Sequence, residues 1–527
     1  MVSIFKNSLI YRFFAAVCGW FSAQWMKSKI IRAFVNTKDS DAVAHSSIFY
    51  RPGRFLRNLV SGIYEKLHLS KLFTGSIFAN PFVWCFLAAV LAPVIPTMAL
   101  LGIVMLSCIA SILDIAGDRQ RTLLCSPVNR YVILYAVIYV IATLTSVTLS
   151  GSLYVGILTT AFILSVFVIE NAVTTKRGLD ILVGAMVAVG VLVSLYGFYQ
   201  YIFGAAGSAA WTDDDMFSSI STRVYSTLQN PNVLSEYLLL IIPLSAACLF
   251  TAKGLLKKFV FLCATGIMCI CMVLTFSRAG WLGLIFAAAI FLVLVDRRYI
   301  LLGVAGVVAL FIAAPDVIIS RFASIGDMAD GSTSYRVAIW MGTISMLKDY
   351  WLCGIGPGTA AFNLIYPSYS YNNAIAQHSH NLFLQIVSDA GICAIIVFVL
   401  LIIVFIRALC SAISKETDRK SKIFQISALA SVGGFMVQSM ADYSFYNYRV
   451  MYLFWVFIGL SALFIKRSSL QEGSGLTDRD GLPEESSLEK KGNMPEKDCL
   501  TEKSELPEGD AQPEKDGSMD AVGREDL

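Results

Sequence analysis

The sequence has little charge for its length. Only 15% of its 527 residues are Asp, Glu, Lys or Arg, whereas 56% are hydrophobic, and the mean hydropathy is +0.67. Soluble globular proteins carry about 25% charged residues, so this composition excludes a soluble globular chain. The apolar residues come in runs of about twenty, the length of a helix that spans the hydrocarbon core of a bilayer. The composition therefore predicts a multi-pass membrane protein.

Strand patterns, paired cysteines and clustered metal ligands are also missing. The apolar runs lack the short alternation of a β-barrel, and inside lipid every backbone polar group needs an internal partner, so helices remain. The 12 cysteines are scattered without a CxxC pair, which argues against disulfides and a zinc site. Asp213, Asp214 and Asp215 are consecutive and would point apart, and His378 and His380 have no third ligand nearby. We expect an all-α fold without a metal or other cofactor.

The amino-terminal segment lacks a cleavable signal sequence. Its apolar stretch from Phe13 to Trp25 is short, is flanked by Arg12 and Lys27, and contains no small-residue cleavage site. We interpret residues 1–75 as a basic cytoplasmic segment with an interfacial amphipathic helix on anionic lipid. The alternative is a first spanning helix near residues 8–26.

Twelve apolar runs of spanning length, or slightly less, follow this segment. They fall near residues 77–94, 95–114, 131–149, 152–169, 179–203, 231–251, 257–276, 279–296, 298–314, 382–406, 423–441 and 448–465. Clusters of Lys and Arg occupy every second connection, as the positive-inside bias demands of a correct helix count. We therefore expect about 12 transmembrane helices within residues 76–466, with both termini cytoplasmic and a long extracytoplasmic loop, residues 315–381, between the ninth and tenth.

The carboxyl-terminal segment has a different composition. Residues 467–527 contain 17 acidic and 8 basic residues, and Pro-Glu recurs four times. Such a segment has too little apolar surface to fold, so we expect a disordered acidic cytoplasmic tail.

Four arginines break the positive-inside pattern in the outward connections: Arg223, Arg278, Arg336 and Arg449. For Arg223 and Arg449, snorkelling to lipid headgroups is an equally good interpretation. A guanidinium keeps its charge and its planar donors fit phosphate oxygens, while a histidine can take a proton from a hydroxyl group. The outer face therefore predicts metal-free handling of a phosphorylated substrate, in which arginines neutralise a leaving diphosphate.

Five outward motifs occur in a set order along the chain. They are Arg223 with Asn230-Pro231-Asn232, Ser277-Arg278-Ala279-Gly280-Trp281, Tyr335-Arg336 with Trp340, Gly354-Ile355-Gly356-Pro357-Gly358, and His380-Asn381-Leu382-Phe383-Leu384. Their order, spacing and topology, between about residues 130 and 465, resemble the O-antigen ligase and O-antigen polymerase superfamily of Wzy_C-like integral-membrane glycosyltransferases. Trp351, where many relatives have proline, and Asp389, where glutamate is commoner, depart from the pattern and leave the substrate open.

The resemblance implies a glycosyltransferase of the bacterial cytoplasmic membrane that acts in surface polysaccharide synthesis. It would move a glycan from an undecaprenyl diphosphate carrier to a hydroxyl of a glycan or glycolipid acceptor on the outer face. Carried over to matching positions, Arg278 and Arg336 would bind the carrier diphosphate, and His380 would be the general base or the group that positions the acceptor. The substrate-binding positions in the same motifs would be Arg223, Trp340, Asn381 and Gly356.

Two other classes of protein would show a similar hydropathy. A transporter or flippase of lipid-linked saccharides should carry ionisable residues at mid-membrane and an inverted repeat of broken helices, and neither is evident. A non-catalytic assembly partner would not depend on His380. Ligase and polymerase remain equally open, as do the sugar and the acceptor. Besides the glycans and the lipid bilayer, no nucleic-acid partner is expected.

Overall fold

The computed structural model describes residues 50–68, 73, 76–118, 123, 125–204 and 223–474. Every regular element in these ranges is helical. Most of the basic segment 1–75, the alternative span near residues 8–26, the three consecutive aspartates at 213–215 and nearly all of the acidic tail lie outside the described residues. The all-α class is confirmed for the described part of the chain.

The described residues form sixteen α-helices. In chain order they are α1 Tyr50–Lys66, α2 Pro81–Leu91, α3 Thr97–Gly117, α4 Asn129–Leu144, α5 Leu149–Ala172, α6 Lys176–Phe203, α7 Pro231–Thr251, α8 Leu255–Leu274, α9 Arg278–Val295, α10 Tyr299–Ala313, α11 Asp316–Ala323, α12 Gly331–Tyr350, α13 Thr359–Ile365, α14 Leu382–Lys415, α15 Arg419–Gln438 and α16 Tyr448–Ser474.

Each of the twelve apolar runs coincides with one of these helices. Within the described ranges, eight helices are long and apolar enough to cross a membrane: α3, α5, α6, α7, α8, α9, α14 and α16. The helices α2, α4 and α10 are apolar but shorter, and α15 begins with a basic turn and carries Gln425 and Gln438. The chain is thus multi-pass by the length and composition of its helices, and the full count of twelve stays a prediction.

The helices α7, α9, α15 and α16 form the centre of the bundle. At the crossing of α9 and α15 a Cβ atom on Gly283 would lie 2.7 Å from the Gly434 carbonyl oxygen, and the reverse distance is also 2.7 Å. Only small residues let two helix backbones approach so closely, a recurrent device of membrane helix packing. The side chains of α16, such as Trp455, are almost fully buried. The helices α7 and α9 both pack against α15, which brings the amino-terminal ends of α7 and α9 close to the carboxyl-terminal end of α15.

Residues 315–381, which the hydropathy marks as a polar interruption, fold mostly into the helices α11, α12 and α13. The Asp330 side chain caps α12 by accepting the Thr333 N–H at 2.9 Å. Ile339, Met346 and Phe362 of this layer form a small hydrophobic core of their own. The segment therefore presents its polar residues from ordered helices.

A break in α14 anchors this layer to the bundle. Gly391 has φ 75°, and a Cβ atom there would lie 2.0 Å from the Leu352 carbonyl oxygen. The Trp351 carbonyl accepts the Ile392 N–H at 2.8 Å, and the Ile355 N–H donates to Ser388 at 2.7 Å. Because only glycine combines this φ with this close approach, the end of α12 docks into the kink.

Candidate active site

A polar cavity of about 560 Å³ lies where the amino-terminal ends of α7 and α9 meet α11, α12, the segment before α14 and the α15–α16 connection. Its charged and imidazole side chains are Arg223, Glu236, Arg278, Arg321, Arg336, His378, His380 and Asp442. Of the residues singled out by the sequence, Arg223, Arg278, Arg336 and His380 thus share one cavity.

Arg278 begins α9 and is held by a buried ion pair. Its Nη1 donates to the carbonyl and hydroxyl oxygens of Ser324, both at 2.9 Å, and its Nη2 donates to Asp330 Oδ1 at 2.7 Å. Burial favours the neutral form of Asp330, but the hydrogen bond and charge of Arg278 outweigh it, so the pKa of Asp330 is lowered. The guanidinium that the sequence assigns to diphosphate binding is therefore fixed in place.

Arg321, on α11, shares the same carboxylate. Its Nη1 lies 3.3 Å from Asp330 Oδ2, and its side chain is buried. Asp330 therefore joins the start of α9, α11 and the cap of α12. Sequence reasoning missed both Arg321 and Asp330, because nothing in the local pattern indicates which distant charge each one meets.

Asp442 links the second arginine to the histidine. Its Oδ1 lies 3.2 Å from Nδ1 of His380, and its Oδ2 lies 3.7 Å from Nη2 of Arg336. Burial would raise the pKa of Asp442, but the hydrogen bond with His380 and the charge of Arg336 hold it well below its usual range. The carboxylate is therefore negative at neutral pH, and it links Arg336 to His380.

The backbone of His380 adopts an unusual conformation for a residue other than glycine. Its φ is 48°, in the left-handed region, which costs of order 1 kcal/mol or more. The Trp340 indole N–H donates to the His380 carbonyl at 3.3 Å, and the Tyr335 ring lies edge-on with its centroid 6.1 Å from the imidazole. Trp340 thus holds the backbone of His380 by a hydrogen bond.

Asn381 caps α14 immediately after this strained residue. Its side-chain oxygen accepts the Phe383 and Leu384 N–H groups at 2.9 and 3.0 Å, and its amide donates to the Met440 carbonyl at 2.7 Å. Neither Trp340 nor Asn381 lines the cavity. Both therefore act on His380 through the backbone that carries it.

His378 supports its neighbour from the other side. Its Nδ1 accepts the His380 N–H at 3.3 Å, and the two ring centroids are 4.2 Å apart. Burial, with the nearby His380, lowers the pKa of His378 to about 3, so this ring is neutral at physiological pH. A neutral ring beside His380 adds no repelling charge to the cavity.

Arg223 precedes α7 and faces the same space. Its Nε donates to the Thr275 carbonyl at 3.0 Å, and its Nη2 donates to Asn232 Oδ1 at 3.3 Å. Burial, followed by the charges of Arg321, Arg336 and Arg278, lowers the pKa of Arg223 to about 9, so the side chain remains a cation at neutral pH.

Gly356 lies away from the cavity, against α4 and α5. Its φ is 98°, and a Cβ atom there would lie 2.0 Å from the Ser146 hydroxyl oxygen. Its N–H donates to the Asp389 carbonyl at 3.1 Å. The glycine run therefore forms a tight turn whose backbone docks onto the kinked part of α14, and the substrate-binding role that the resemblance implies for Gly356 stays a prediction.

Within the described part of the chain, no group of three or more His, Cys, Asp or Glu side chains is arranged to hold a metal ion. The charged and imidazole side chains of the cavity are four guanidinium groups, two imidazoles and two carboxyl groups.

Comparison with known proteins assigns part of the chain to a family. Residues 263–399 match the family model described as O-antigen ligase (Wzy_C), a segment that includes Arg278, Arg321, Arg336 and His380 but neither Glu236 nor Asp442. No curated protein matches the chain. The chain thus carries a domain of the O-antigen ligase family, as the order of its outward motifs predicts.

Proposed function

We propose that the chain is a bacterial membrane glycosyltransferase that moves a glycan from an undecaprenyl diphosphate carrier to an acceptor hydroxyl at the outer face of the cytoplasmic membrane. One observation carries this proposal: Arg278, Arg336 and His380, which come from three separate elements, line a single polar cavity. The family match supports the same class of glycan transfer.

The donor side of the cavity is cationic. Four guanidinium groups line it, and the aspartates at 330 and 442 pair with three of them. Such a cluster suits a diphosphate, whose negative charge grows as it leaves the sugar. By analogy with single oxyanion donors, each arginine that contacts the leaving group would supply roughly 3 kcal/mol of transition-state stabilisation.

The acceptor side carries the base. With Nδ1 of His380 donating to Asp442, Nε2 is the nitrogen that can take a proton. The acceptor oxygen forms a bond to the anomeric carbon, and its proton goes to Nε2. The bond from that carbon to the diphosphate oxygen breaks, and undecaprenyl diphosphate leaves with the electron pair, so the anomeric configuration inverts.

Substitution of the two central residues tests this reaction. We expect Arg336→Ala to lower glycan transfer in membranes by about a hundredfold or more and His380→Ala by about a thousandfold or more, with expression intact. Arg449→Ala is the matched control, because Arg449 is also a buried outer arginine but binds the Thr227 carbonyl outside the cavity. Near-normal transfer by both central variants would refute the mechanism.

The products separate the remaining classes. A polymerase makes a ladder of lengths that stays on the carrier lipid, whereas a ligase joins the glycan to a different acceptor molecule. A flippase of lipid-linked saccharides forms no new glycosidic bond, so the donor mass would be unchanged. Mass spectrometry of the carrier lipids and of the glycans released in a reconstituted assay distinguishes the three.

A further inference from the structure

Glu236 is a buried carboxyl group that the proposed reaction leaves without a role. It lies in the second turn of α7, lines the polar cavity and is 1% exposed. Within the described residues its Oε2 atom has no hydrogen-bond partner. A buried polar atom without a partner costs free energy, and native proteins rarely tolerate one without a reason.

The rest of this helix turn is fully engaged. The Ser235 hydroxyl donates to the Asn232 carbonyl at 2.6 Å, and Gln438 donates to the same carbonyl at 2.9 Å. The neighbours Val233 and Tyr237 are buried in the core. An apolar side chain at position 236 of α7 would be buried at a lower cost in free energy than a carboxyl group. The carboxyl is therefore better explained by something that enters the cavity.

The surroundings of Glu236 indicate the chemistry of that ligand. Asp442, the partner of His380, lines the same cavity. Its carboxylate would repel a phosphate or a uronic acid. The aromatic rings of Tyr443 and Tyr446 line the same cavity. A carboxyl oxygen beside aromatic rings suits a ligand with hydroxyl or amino hydrogens and an apolar ring face.

We propose that Glu236 binds a hydroxyl or amino group of the lipid-linked saccharide through the unpartnered Oε2. This inference rests on the proposed function. It differs from the roles of the arginines and His380, because it concerns recognition of the sugar and not departure of the diphosphate.

Binding measurements on the purified full-length chain in lipid nanodiscs test the inference. The two probes are undecaprenyl diphosphate without sugar and the lipid-linked saccharide pool extracted from cells that express the chain. We expect the wild-type chain to bind the saccharide pool up to about tenfold more tightly than the sugar-free carrier, the value of one hydrogen bond. Glu236→Ala should remove this preference while changing the Kd for the sugar-free carrier less than twofold.

Two further variants control the result. Glu236→Gln keeps the size of the side chain and one acceptor oxygen, so we expect it to recover part of the preference. Glu170→Ala removes another buried carboxyl with one unpartnered oxygen, at the inner end of α5 and outside the cavity, and should leave both affinities unchanged. Its melting temperature shows what loss of a buried carboxyl costs by itself.

The other outcomes contradict the inference. No preference for the saccharide in the wild-type chain, an unchanged preference in Glu236→Ala, or an equal loss for both probes would each overturn it. Failure of the proposed function is seen separately, as full glycan transfer by Arg336→Ala and His380→Ala, and does not depend on either affinity.

Discussion

Replacing Asp442 with Asn removes one negative charge and keeps the shape of the side chain. In the native chain the carboxylate accepts from Nδ1 of His380 at 3.2 Å and lies 3.7 Å from the Arg336 guanidinium. An asparagine amide can donate to Nδ1, which moves the ring proton to Nε2. The nitrogen assigned to the acceptor hydroxyl is then already protonated and cannot act as a base.

The size of the effect follows from this geometry. Asp→Asn changes behind a catalytic imidazole lower kcat by about ten thousandfold in serine proteases, so we expect a loss of roughly 10³ to 10⁴ in glycan transfer for Asp442→Asn. This corresponds to about 4 to 5 kcal/mol in the activation free energy. The cost in folding free energy is smaller, roughly 1 to 2 kcal/mol, because the side chains of His380 and Arg336 are 25% and 19% exposed and water replaces part of the interaction.

The pH dependence of stability gives an independent check. The folded-state pKa of Asp442 is well below the unfolded value, which is about 3.9 for an aspartate. The carboxylate therefore stabilises the folded chain fully above about pH 5, and this contribution disappears as the pH falls below about 4 toward the folded pKa. The difference in melting temperature between wild type and Asp442→Asn should be present at pH 5 and shrink as the pH falls below 4.

Single-turnover transfer in nanodiscs, with the extracted lipid-linked saccharide pool as donor, measures the catalytic effect. Because Asp442 acts through the imidazole, the double variant with His380→Ala should lose no more than His380→Ala alone. Asp349→Asn is the matched control, since that carboxylate accepts from Tyr369 at the exposed end of α12. More than a tenth of wild-type transfer by Asp442→Asn, or losses that multiply in the double variant, would refute the reasoning.

Two further substitutions test how the site is built. Asp330→Asn keeps the cap of α12 but leaves two buried arginines without their carboxylate, so we expect it to lower the free energy of unfolding by about 2 to 4 kcal/mol. The control is Asp418→Asn, at an exposed helix cap, which should cost less than about 0.5 kcal/mol. Equal melting temperatures of these two variants would contradict the prediction. Gly356→Ala places a Cβ atom 2.0 Å from the Ser146 hydroxyl oxygen at φ 98°, so we expect the free energy of unfolding to fall by about 2 kcal/mol or more. Gly102→Ala, where nothing lies within 4 Å of the new Cβ atom, should leave the stability unchanged. A higher KM for Gly356→Ala without a lower melting temperature would instead favour a substrate-binding role.

Local patterns in the sequence were enough to predict an all-α membrane protein and the family that residues 263–399 match. Hydropathy is a local property, so each apolar run predicted a helix at nearly the right residues, and the runs at 231–251 and 279–296 differ from α7 and α9 by at most one residue at either end. The outward arginines and His380 were also visible locally, because a charge at the end of an apolar run stands out against its neighbours.

The contacts between distant charged residues are visible only in the folded chain. His380 and Asp442 are 62 residues apart, and Arg278 and Asp330 are 52 apart, so no local pattern could pair them. The polar segment before α14 is largely helical, and Asp330 stabilises it by capping α12 and by pairing with two arginines. Glu236 was hidden inside an apolar run, where a single carboxyl hardly changes the hydropathy. Its position in the cavity depends on how α7 packs against α15, which is a property of the folded bundle and not of any one stretch of the chain.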